Sequence, residues 1–422
     1  MKELHHFTGG ALRACCRIVG ATCLLVAGTL SPVDGAWAQD LPQTPAAALA
    51  FEKADRVTDD AFYKTATPLP PGKPGELIRS DPTGDYSVGK GVKGYRILYQ
   101  SRSATGRDVA ASAAVLLPPG APPAGGWPVI AWAHGTSGVA QMCAPSMMKD
   151  VYYGDEGLRE MLQAGFAVVA TDYAGLGTVG PHQYVDKVAN AHDVINAVAA
   201  AQAAIPALGK KWVVDGHSQG GAAAWGVAEQ EAVLKDANYL GAVSVAGAVN
   251  LDFNVPTTAH YRESGFYFAY FAYAVNARFP KFSAAEILAP PALEQYDALT
   301  TKGCWYYGAA VAHAGLLGAV VKPGWQKNKW AQKFYAENRT PERPFASSIF
   351  VIAGEADHSV PVTTIRKTVS RACKLGIKLE YRSYPGLDHD PTMTKSTPDQ
   401  ISWIKDRFAG RPASSNCAKF AN

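Results

Sequence analysis

Charged residues are scarce in this chain, and the basic ones form no cluster. Only 18% of the 422 residues are charged, and the formal net charge is +4. Nucleic-acid binding needs a concentrated patch of Lys and Arg, so we expect no nucleic-acid partner. The hydrophobic fraction of 48% is that of an ordinary globular protein with a sizeable core.

The sequence also has no CxxC motif and no long apolar run after its first 38 residues. None of the seven cysteines is spaced as CxxC, which argues against a zinc or redox site. After the first 38 residues, no apolar run is long and uncharged enough to cross a bilayer. The sequence also contains no internal repeats. We therefore expect neither a zinc or redox site of this type nor a membrane-spanning segment after residue 38.

Residues 1–38 have the pattern of a signal peptide. An apolar run over residues 18–30 is followed by Ala36-Trp37-Ala38, and it is preceded by three basic residues, Lys2, Arg13 and Arg17. We predict cleavage after Ala38 and export to the periplasm or the medium. An uncleaved membrane anchor is the alternative, but the apolar run is shorter than the ~20 residues of a spanning helix.

Cleavage there removes three of the seven cysteines. Four remain in the mature chain: Cys143, Cys304, Cys373 and Cys417. An even number of cysteines in an exported protein predicts two disulfides, and three pairings are open.

The mature chain begins with a segment rich in Pro and Ala, residues 39–85, which we interpret as an N-terminal arm with little regular structure. Strand patterns follow at 95–101, 109–117, 128–133, 166–171, 212–215, 242–246, 348–353 and 378–384, the last near a sheet edge. Helical patterns lie at 157–164, 184–203, 222–234, 362–375 and 398–408. This alternation predicts an α/β fold, with a mostly parallel sheet flanked by helices, over residues 86–250 and 344–422.

Residues 251–343 interrupt the alternation. They contain a dense set of aromatic residues: Tyr261, Phe266, Tyr267, Phe268, Tyr270, Phe271, Tyr273, Trp305, Tyr306 and Tyr307. We predict a mainly helical cap, or lid, inserted over the sheet. Its aromatic residues have two possible uses, as the core of the cap or as contacts to a substrate.

A candidate nucleophile lies in residues 216–221, Gly-His-Ser-Gln-Gly-Gly, between a predicted strand and a predicted helix. In this G-x-S-x-G setting, Ser218 lies on a strained turn, where side chains at Gly216 and Gly220 would collide with their neighbours. The N–H of Gln219 then points from the start of the helix towards a developing oxyanion. The alternative interpretation is a Gly-rich turn that happens to contain a serine.

The partners of a nucleophilic serine are an acid and then a histidine, in that chain order. Asp357 follows the strand at 348–353 and is the predicted acid, with Glu355 as its competitor. His389 follows the next strand and is the predicted base, with His358 as the alternative. We expect Asp388 and Asp390 to shape the loop or the local electric field.

A second oxyanion donor is predicted in residues 134–138, His-Gly-Thr-Ser-Gly, after the strand at 128–133. The backbone N–H of Thr136 is that donor, and the Thr136 hydroxyl is a further hydrogen-bonding group.

Residues 175–180 match the dinucleotide pattern G-x-G-x-x-G. Pro181 follows at once, where a helix should continue, so we interpret this segment as a loop near the pocket.

These motifs resemble those of the secretory lipase family, the lipase A-like branch of the α/β-hydrolases. The resemblance rests on four segments: 133–138, Ala-His-Gly-Thr-Ser-Gly; 171–177, Thr-Asp-Tyr-Ala-Gly-Leu-Gly; 216–221; and 354–357, Gly-Glu-Ala-Asp. It spans roughly residues 60–410. It implies carboxylic ester hydrolysis, the triad Ser218, Asp357 and His389, and a helical cap. It also implies the disulfides Cys143–Cys304 and Cys373–Cys417.

We therefore predict a serine ester hydrolase that works through an acyl-enzyme without a metal or organic cofactor. Its substrate is a small-molecule or lipid ester, and contact with a lipid interface would be transient and through the cap. Two rival functions use the same scaffold. One is a serine peptidase, which needs the same triad, and the other is a binding protein without catalysis.

Overall fold

A mixed sheet of nine strands runs through the part of the chain that the computed structural model describes, residues 41–57, 61–251 and 264–420. Its strands are β1 Leu77–Thr83, β2 Lys93–Arg102, β3 Asp108–Leu117, β4 Trp127–Ala133, β5 Ala167–Thr171, β6 Leu208–His217, β7 Tyr239–Val245, β8 Ile349–Gly354 and β9 Leu379–Tyr384. The predicted signal peptide, residues 1–38, lies outside the described residues. Among the described helices, none is long and apolar enough to span a membrane.

The strands lie side by side in the order β1-β2-β3-β5-β4-β6-β7-β8-β9. The pairs β1/β2, β2/β3 and β3/β5 are antiparallel, and all the others are parallel. This is the mostly parallel sheet that the sequence predicted. β9 is the edge strand, as its alternating pattern indicated, and its burial also alternates.

Apolar cores cover both faces of the sheet. Along β4, Val129, Ala131 and Ala133 point into one core, while Ile130 and Trp132 point into the other. All of these side chains are buried. A strand buried on both faces has no polar side to show, which is why its sequence is a continuous apolar run rather than an alternating one.

Ten α-helices lie in the described residues: α1 Pro45–Asp55, α2 Arg159–Gln163, α3 Lys187–Ala204, α4 Gln219–Leu234, α5 Tyr267–Arg278, α6 Pro290–Thr301, α7 Trp305–His313, α8 Lys329–Glu337, α9 Val362–Lys374 and α10 His389–Phe408. A π-helical turn, Gly154–Leu158, leads into α2. Helices α3, α4 and α9 contribute to the first core, and α2 and α10 contribute to the second.

The N-terminal arm has more regular structure than its composition predicted. Helix α1 begins at a Thr44 cap with Pro45 in its first turn, and strand β1 pairs with β2. The prediction of little regular structure for residues 39–85 was therefore wrong in these two places. The error came from the high proline content of this segment, because proline is well tolerated in the first turn of a helix and on an edge strand such as β1.

The last helix begins at His389 rather than at residue 398. Asp388 caps it by accepting the His389 N–H, and Pro398 lies inside it. The segment 389–397 contains three threonines and a proline before Pro398, so its local preference for a helix is weak. Burial of Thr392 and Met393 stabilises the helix there.

The interruption between β7 and β8 is helical in its described part. It contains α5 to α8, and most of its aromatic side chains pack into a core of their own. Tyr261 lies outside the described residues.

Both disulfides that the resemblance implied are present, Cys143–Cys304 and Cys373–Cys417. The first one joins the loop after β4 to the start of α7, so it ties the cap to the sheet.

Candidate active site

Ser218 lies on a sharp turn between β6 and α4. Its backbone has φ 56° and ψ −116°, a conformation that costs a residue with a side chain about 1–3 kcal/mol. A Cβ added at Gly216 would overlap the backbone of Gly220, and one at Gly220 would overlap the carbonyl of Ala133. The predicted collisions are thus present, and only glycine fits these two positions.

Asp357 and His389 are hydrogen-bonded to each other. The His389 Nδ1 atom lies 2.8 Å from Asp357 Oδ2, and the Asp357 side chain is completely buried. The other carboxylate oxygen accepts the N–H groups of Ser359 and Val360 at 2.9 and 2.6 Å. The carboxylate is therefore fixed from both sides, and it holds the histidine in the tautomer that leaves Nε2 available.

The competing residues have other partners. Glu355 is exposed and binds Arg366 and Ser383. His358 is also exposed, and it contacts Asp388 through its Nδ1 atom at 3.0 Å. Neither residue takes part in the bond between Asp357 and His389.

His389 lies against the turn that carries Ser218. Its ring centroid is 4.6 Å from that of His217, the residue before Ser218. Burial, the largest influence, lowers the pKa of His389. The charge and hydrogen bond of Asp357 and the charges of Asp390 and Asp388 together outweigh burial and raise the pKa to about 9. The structure thus places an imidazole with a raised pKa against the turn that carries the candidate nucleophile.

The loop after β4 passes directly over Ser218. A Cβ added at Gly135 would lie 3.3 Å from the Ser218 Cβ and would overlap the Tyr153 hydroxyl. The next residue, Thr136, is held at two points. Its hydroxyl is 2.8 Å from the Tyr184 hydroxyl, and its carbonyl accepts a hydrogen bond of 2.8 Å from Tyr152.

Gln219, the other predicted oxyanion donor, is the first residue of α4. The N–H groups in the first turn of an α-helix have no partner within that helix, so the Gln219 N–H is directed outwards beside Ser218. Its side chain is buried and bonds to His182 and Asn190. Both predicted donors, Thr136 and Gln219, therefore flank the turn at Ser218.

Three tyrosines support this arrangement, and the sequence analysis missed them. Tyr152 and Tyr184 bind Thr136, while the Tyr153 hydroxyl lies 2.8 Å from Nδ1 of His217. Tyr152 lies in a segment with positive φ values just before the π-helical turn. The sequence alone does not distinguish a tyrosine that supports a site from one that packs in a core, so these three residues could not be predicted.

A cavity of about 500 Å³, including its open mouth, adjoins Ser218. Its lining is largely apolar and comes from the loops around Ser218 and from helix α5 of the cap. The described lining residues are Thr136, Tyr184, Val185, Ser218, Ala248, Leu251, Tyr267, Phe268, Phe271, Ser359 and Val360. Three of the cap aromatics, Tyr267, Phe268 and Phe271, thus face the cavity, so the cap contributes to the site as well as to its own core.

Residues 175–180 form a loop, as the sequence predicted. The next helix, α3, begins only at Lys187, so the turn does not continue into a helix as a dinucleotide site requires. A Cβ at Gly175 would overlap the backbone of His182. His182 in turn bonds to the side chain of Gln219, the residue after Ser218, so this loop helps to support the turn at Ser218.

The sheet order and the strand–turn–helix around Ser218 define an α/β-hydrolase fold. The family model for secretory lipases matches residues 151–416, more than half of the chain. The chain therefore belongs to the secretory lipase family, and it is a lipase-type hydrolase that acts on esters.

Solved structures agree with this fold. Lipase A from Candida antarctica in its closed state is 16% identical with a TM-score of 0.72, and the match covers 85% of this chain and 87% of that chain. The rice cell wall degrading esterase LipA from Xanthomonas oryzae is 17% identical with a TM-score of 0.66, and coverage is 79% and 97%. At these identities the likeness shows the fold alone. A comparison with curated proteins gave no match.

We predict that Tyr152→Phe lowers kcat about fivefold and leaves KM nearly unchanged. The substitution removes the hydrogen bond to the Thr136 carbonyl, a neutral bond worth about 1 kcal/mol, and so loosens a backbone that must stabilise an oxyanion. Steady-state kinetics on p-nitrophenyl acetate measure the effect. Tyr86→Phe is the matched control, since Tyr86 donates to the carbonyl of Ser146. An equal loss in both variants would contradict a specific role for Tyr152.

Proposed function

We propose that this protein is an exported serine carboxylesterase that works through an acyl-enzyme. Ser218 is the nucleophile, His389 is the general base, and Asp357 orients His389. The observation that carries this proposal is the 2.8 Å bond between the buried Asp357 and His389, whose ring lies against the turn of Ser218. The secretory lipase family and the two disulfides support export.

In the first half of the reaction, the Ser218 Oγ atom bonds to the ester carbonyl carbon while its proton passes to His389 Nε2. Negative charge develops on the carbonyl oxygen, where the N–H groups of Thr136 and Gln219 stabilise it. Each such donor is worth roughly 3–4 kcal/mol in comparable sites. The carbon–oxygen bond to the alcohol then breaks, and the alcohol leaves with the proton from His389.

In the second half, His389 takes a proton from water, and the hydroxide attacks the acyl carbon. The bond to Ser218 Oγ breaks, the serine recovers its proton from His389, and the carboxylic acid is released. Asp357 stays ionised throughout and stabilises the imidazolium that forms in each half. Each proton that His389 accepts is returned within the same half, so the protein needs no other reagent than water.

The cavity beside Ser218 favours compact acyl groups. Phe268 and Phe271 form part of its wall, and they are almost completely buried. Phe271 stacks on Tyr335 at 5.4 Å, and Phe268 packs edge-on against Trp325 at 5.2 Å. A long acyl chain would have to displace rings that are held on their far side by the core of the cap. A short or compact chain fits without this displacement.

We predict that Ser218→Ala abolishes ester hydrolysis while the protein stays folded, because the nucleophile is lost and a smaller side chain occupies the turn. Rates on p-nitrophenyl acetate and labelling by a fluorophosphonate measure the effect, and circular dichroism checks the fold. A matched anilide assayed with the wild type separates ester from amide cleavage. Hydrolysis that survives in a folded Ser218→Ala variant would falsify the assignment.

We predict that kcat/KM rises with pH well beyond the ordinary histidine range. His389 must be neutral to accept the serine proton, and its surroundings raise its pKa to about 9. The neutral fraction, and with it the rate, therefore increases as the pH rises towards that value. A profile from pH 5 to 10 with EDTA present, corrected for spontaneous hydrolysis, measures this limb. A midpoint at or below 6.5 contradicts the prediction.

We predict that the wild type prefers short chains in a p-nitrophenyl ester series from acetate to palmitate. In Phe271→Ala the ratio of long-chain to short-chain kcat/KM should rise about tenfold, since room for about two buried CH₂ groups is worth roughly 1.4 kcal/mol. Phe282→Ala is the control, because Phe282 is buried in the cap core and is not among the described residues that line the cavity. A wild-type maximum at palmitate would show that the rings do not limit the chain.

A further inference from the structure

His217 is a buried histidine with an unused ring nitrogen. Only 1% of the residue is exposed, and its Nε2 atom forms no hydrogen bond, although the backbone of His389 lies close enough to influence the pKa of the ring. Its Nδ1 atom is bonded to the Tyr153 hydroxyl. Leaving a buried polar atom unpaired costs about 1–3 kcal/mol, so its presence beside an active site requires an explanation.

Two further ligand groups lie close to His217. The ring of His389 packs against that of His217, and its Nδ1 is occupied by Asp357, which leaves Nε2. The carboxylate of Asp390 is next to His389 in the chain. One potential ligand atom from each of His217, His389 and Asp390 lies within 4.8 Å of the other two. We infer that these three residues form a binding site for a divalent transition-metal ion such as Zn²⁺, whose occupation inhibits hydrolysis.

The chemistry of these groups suits zinc. Two imidazoles and a carboxylate form a common three-ligand set for this ion. Ligand atoms around a tetrahedral zinc ion at 2.0–2.2 Å are roughly 3.3 Å apart, so modest side-chain rotations close the site. Each histidine also has the outer partner that metal-binding histidines usually have: Asp357 for His389 and Tyr153 for His217.

The surroundings favour a cation and allow it to enter. Asp390 is exposed, so the site opens to solvent on that side. Glu156 interacts electrostatically with both Asp390 and His389, and Asp388 and Asp357 add further negative charge. The charges that raise the pKa of His389 are thus those of carboxylates. This field concentrates a divalent ion at the site.

Binding requires two neutral imidazoles with free Nε2 lone pairs. In His389 this is the form that accepts the serine proton, with Nδ1–H donated to Asp357. In His217 the ring proton must lie on Nδ1, facing the Tyr153 oxygen. An ion on His389 Nε2 occupies the lone pair that should take the proton of Ser218. The inhibition, though not the binding itself, therefore rests on the proposed function of His389.

The binding test uses the folded Ser218→Ala protein, which keeps all three ligands. Calorimetric titration with ZnCl₂ should show one site. Adding His217→Asn or Asp390→Asn should lower its zinc affinity at least about tenfold, because tenfold is the lower end of the loss seen when only an outer partner of a ligand is removed. Mg²⁺, which prefers oxygen ligands, should not compete. Zinc affinity that is unchanged by both substitutions, or no binding at all, would overturn the proposed site.

The inhibition test uses the active enzyme in a buffer that does not chelate metals. Zn²⁺ should inhibit p-nitrophenyl acetate hydrolysis, EDTA should restore it, and half-inhibition should need at least about tenfold more Zn²⁺ in His217→Asn, measured against its own metal-free rate. His313→Asn, which removes an exposed histidine of the cap, should keep the wild-type sensitivity. Equal inhibition of His217→Asn overturns the inference. Site-specific binding without inhibition overturns the inhibitory part of the inference, and with it the role of His389 as base.

Discussion

Direct contact between backbones at Ser218 is the constraint on which the rest of the site depends. The end of β4, the loop that follows it, the end of β6 and the start of α4 approach one another more closely than a Cβ permits, as Gly216 and Gly220 show. Because these segments meet without intervening side chains, the hydroxyl of Ser218 and the proposed oxyanion donors are carried by one packed unit. The strain at Ser218 persists because the surrounding backbone leaves the residue no other conformation.

The cap covers the packed backbone around Ser218 and is also bonded to it. The N–H of Trp305 donates to the carbonyl of Ser137 at 2.9 Å, and the disulfide Cys143–Cys304 joins the same two segments. Helix α1 holds α7 from the other side, since the Glu52 carboxylate accepts the N–H groups of Cys304 and Tyr307 at the start of α7. A displacement of α7 would therefore be transmitted to the loop next to Thr136, so cap position and oxyanion geometry are linked.

Chain order and backbone shape are what the sequence could predict. The turn at Ser218 requires glycines at fixed spacing, and these are present in the structure. Asp357 and His389 follow successive strands and are hydrogen-bonded to each other, so a single sequence could propose the three residues as a triad. It was insufficient where tertiary packing decides. Helix α10 is stabilised by burial of residues such as Met393. From distant parts of the chain, the hydroxyl of Tyr152 reaches the carbonyl of Thr136 and the hydroxyl of Tyr184 reaches the Thr136 hydroxyl. Nothing in their sequence neighbourhood distinguishes these tyrosines from core residues.

The carboxylates around His389 have two opposing consequences for catalysis. In the proposed mechanism they stabilise the imidazolium that forms when Ser218 attacks, which lowers the barrier, but they also raise the pKa of the free base, which reduces its neutral fraction near pH 7. Burial opposes the second effect, and it is the largest single influence on this ring. The balance favours work at alkaline pH. His217, the neighbouring imidazole, responds in the opposite direction. Burial and the charge of His389 lower the pKa of His217 well below the usual range, so the two adjacent rings favour different charge states.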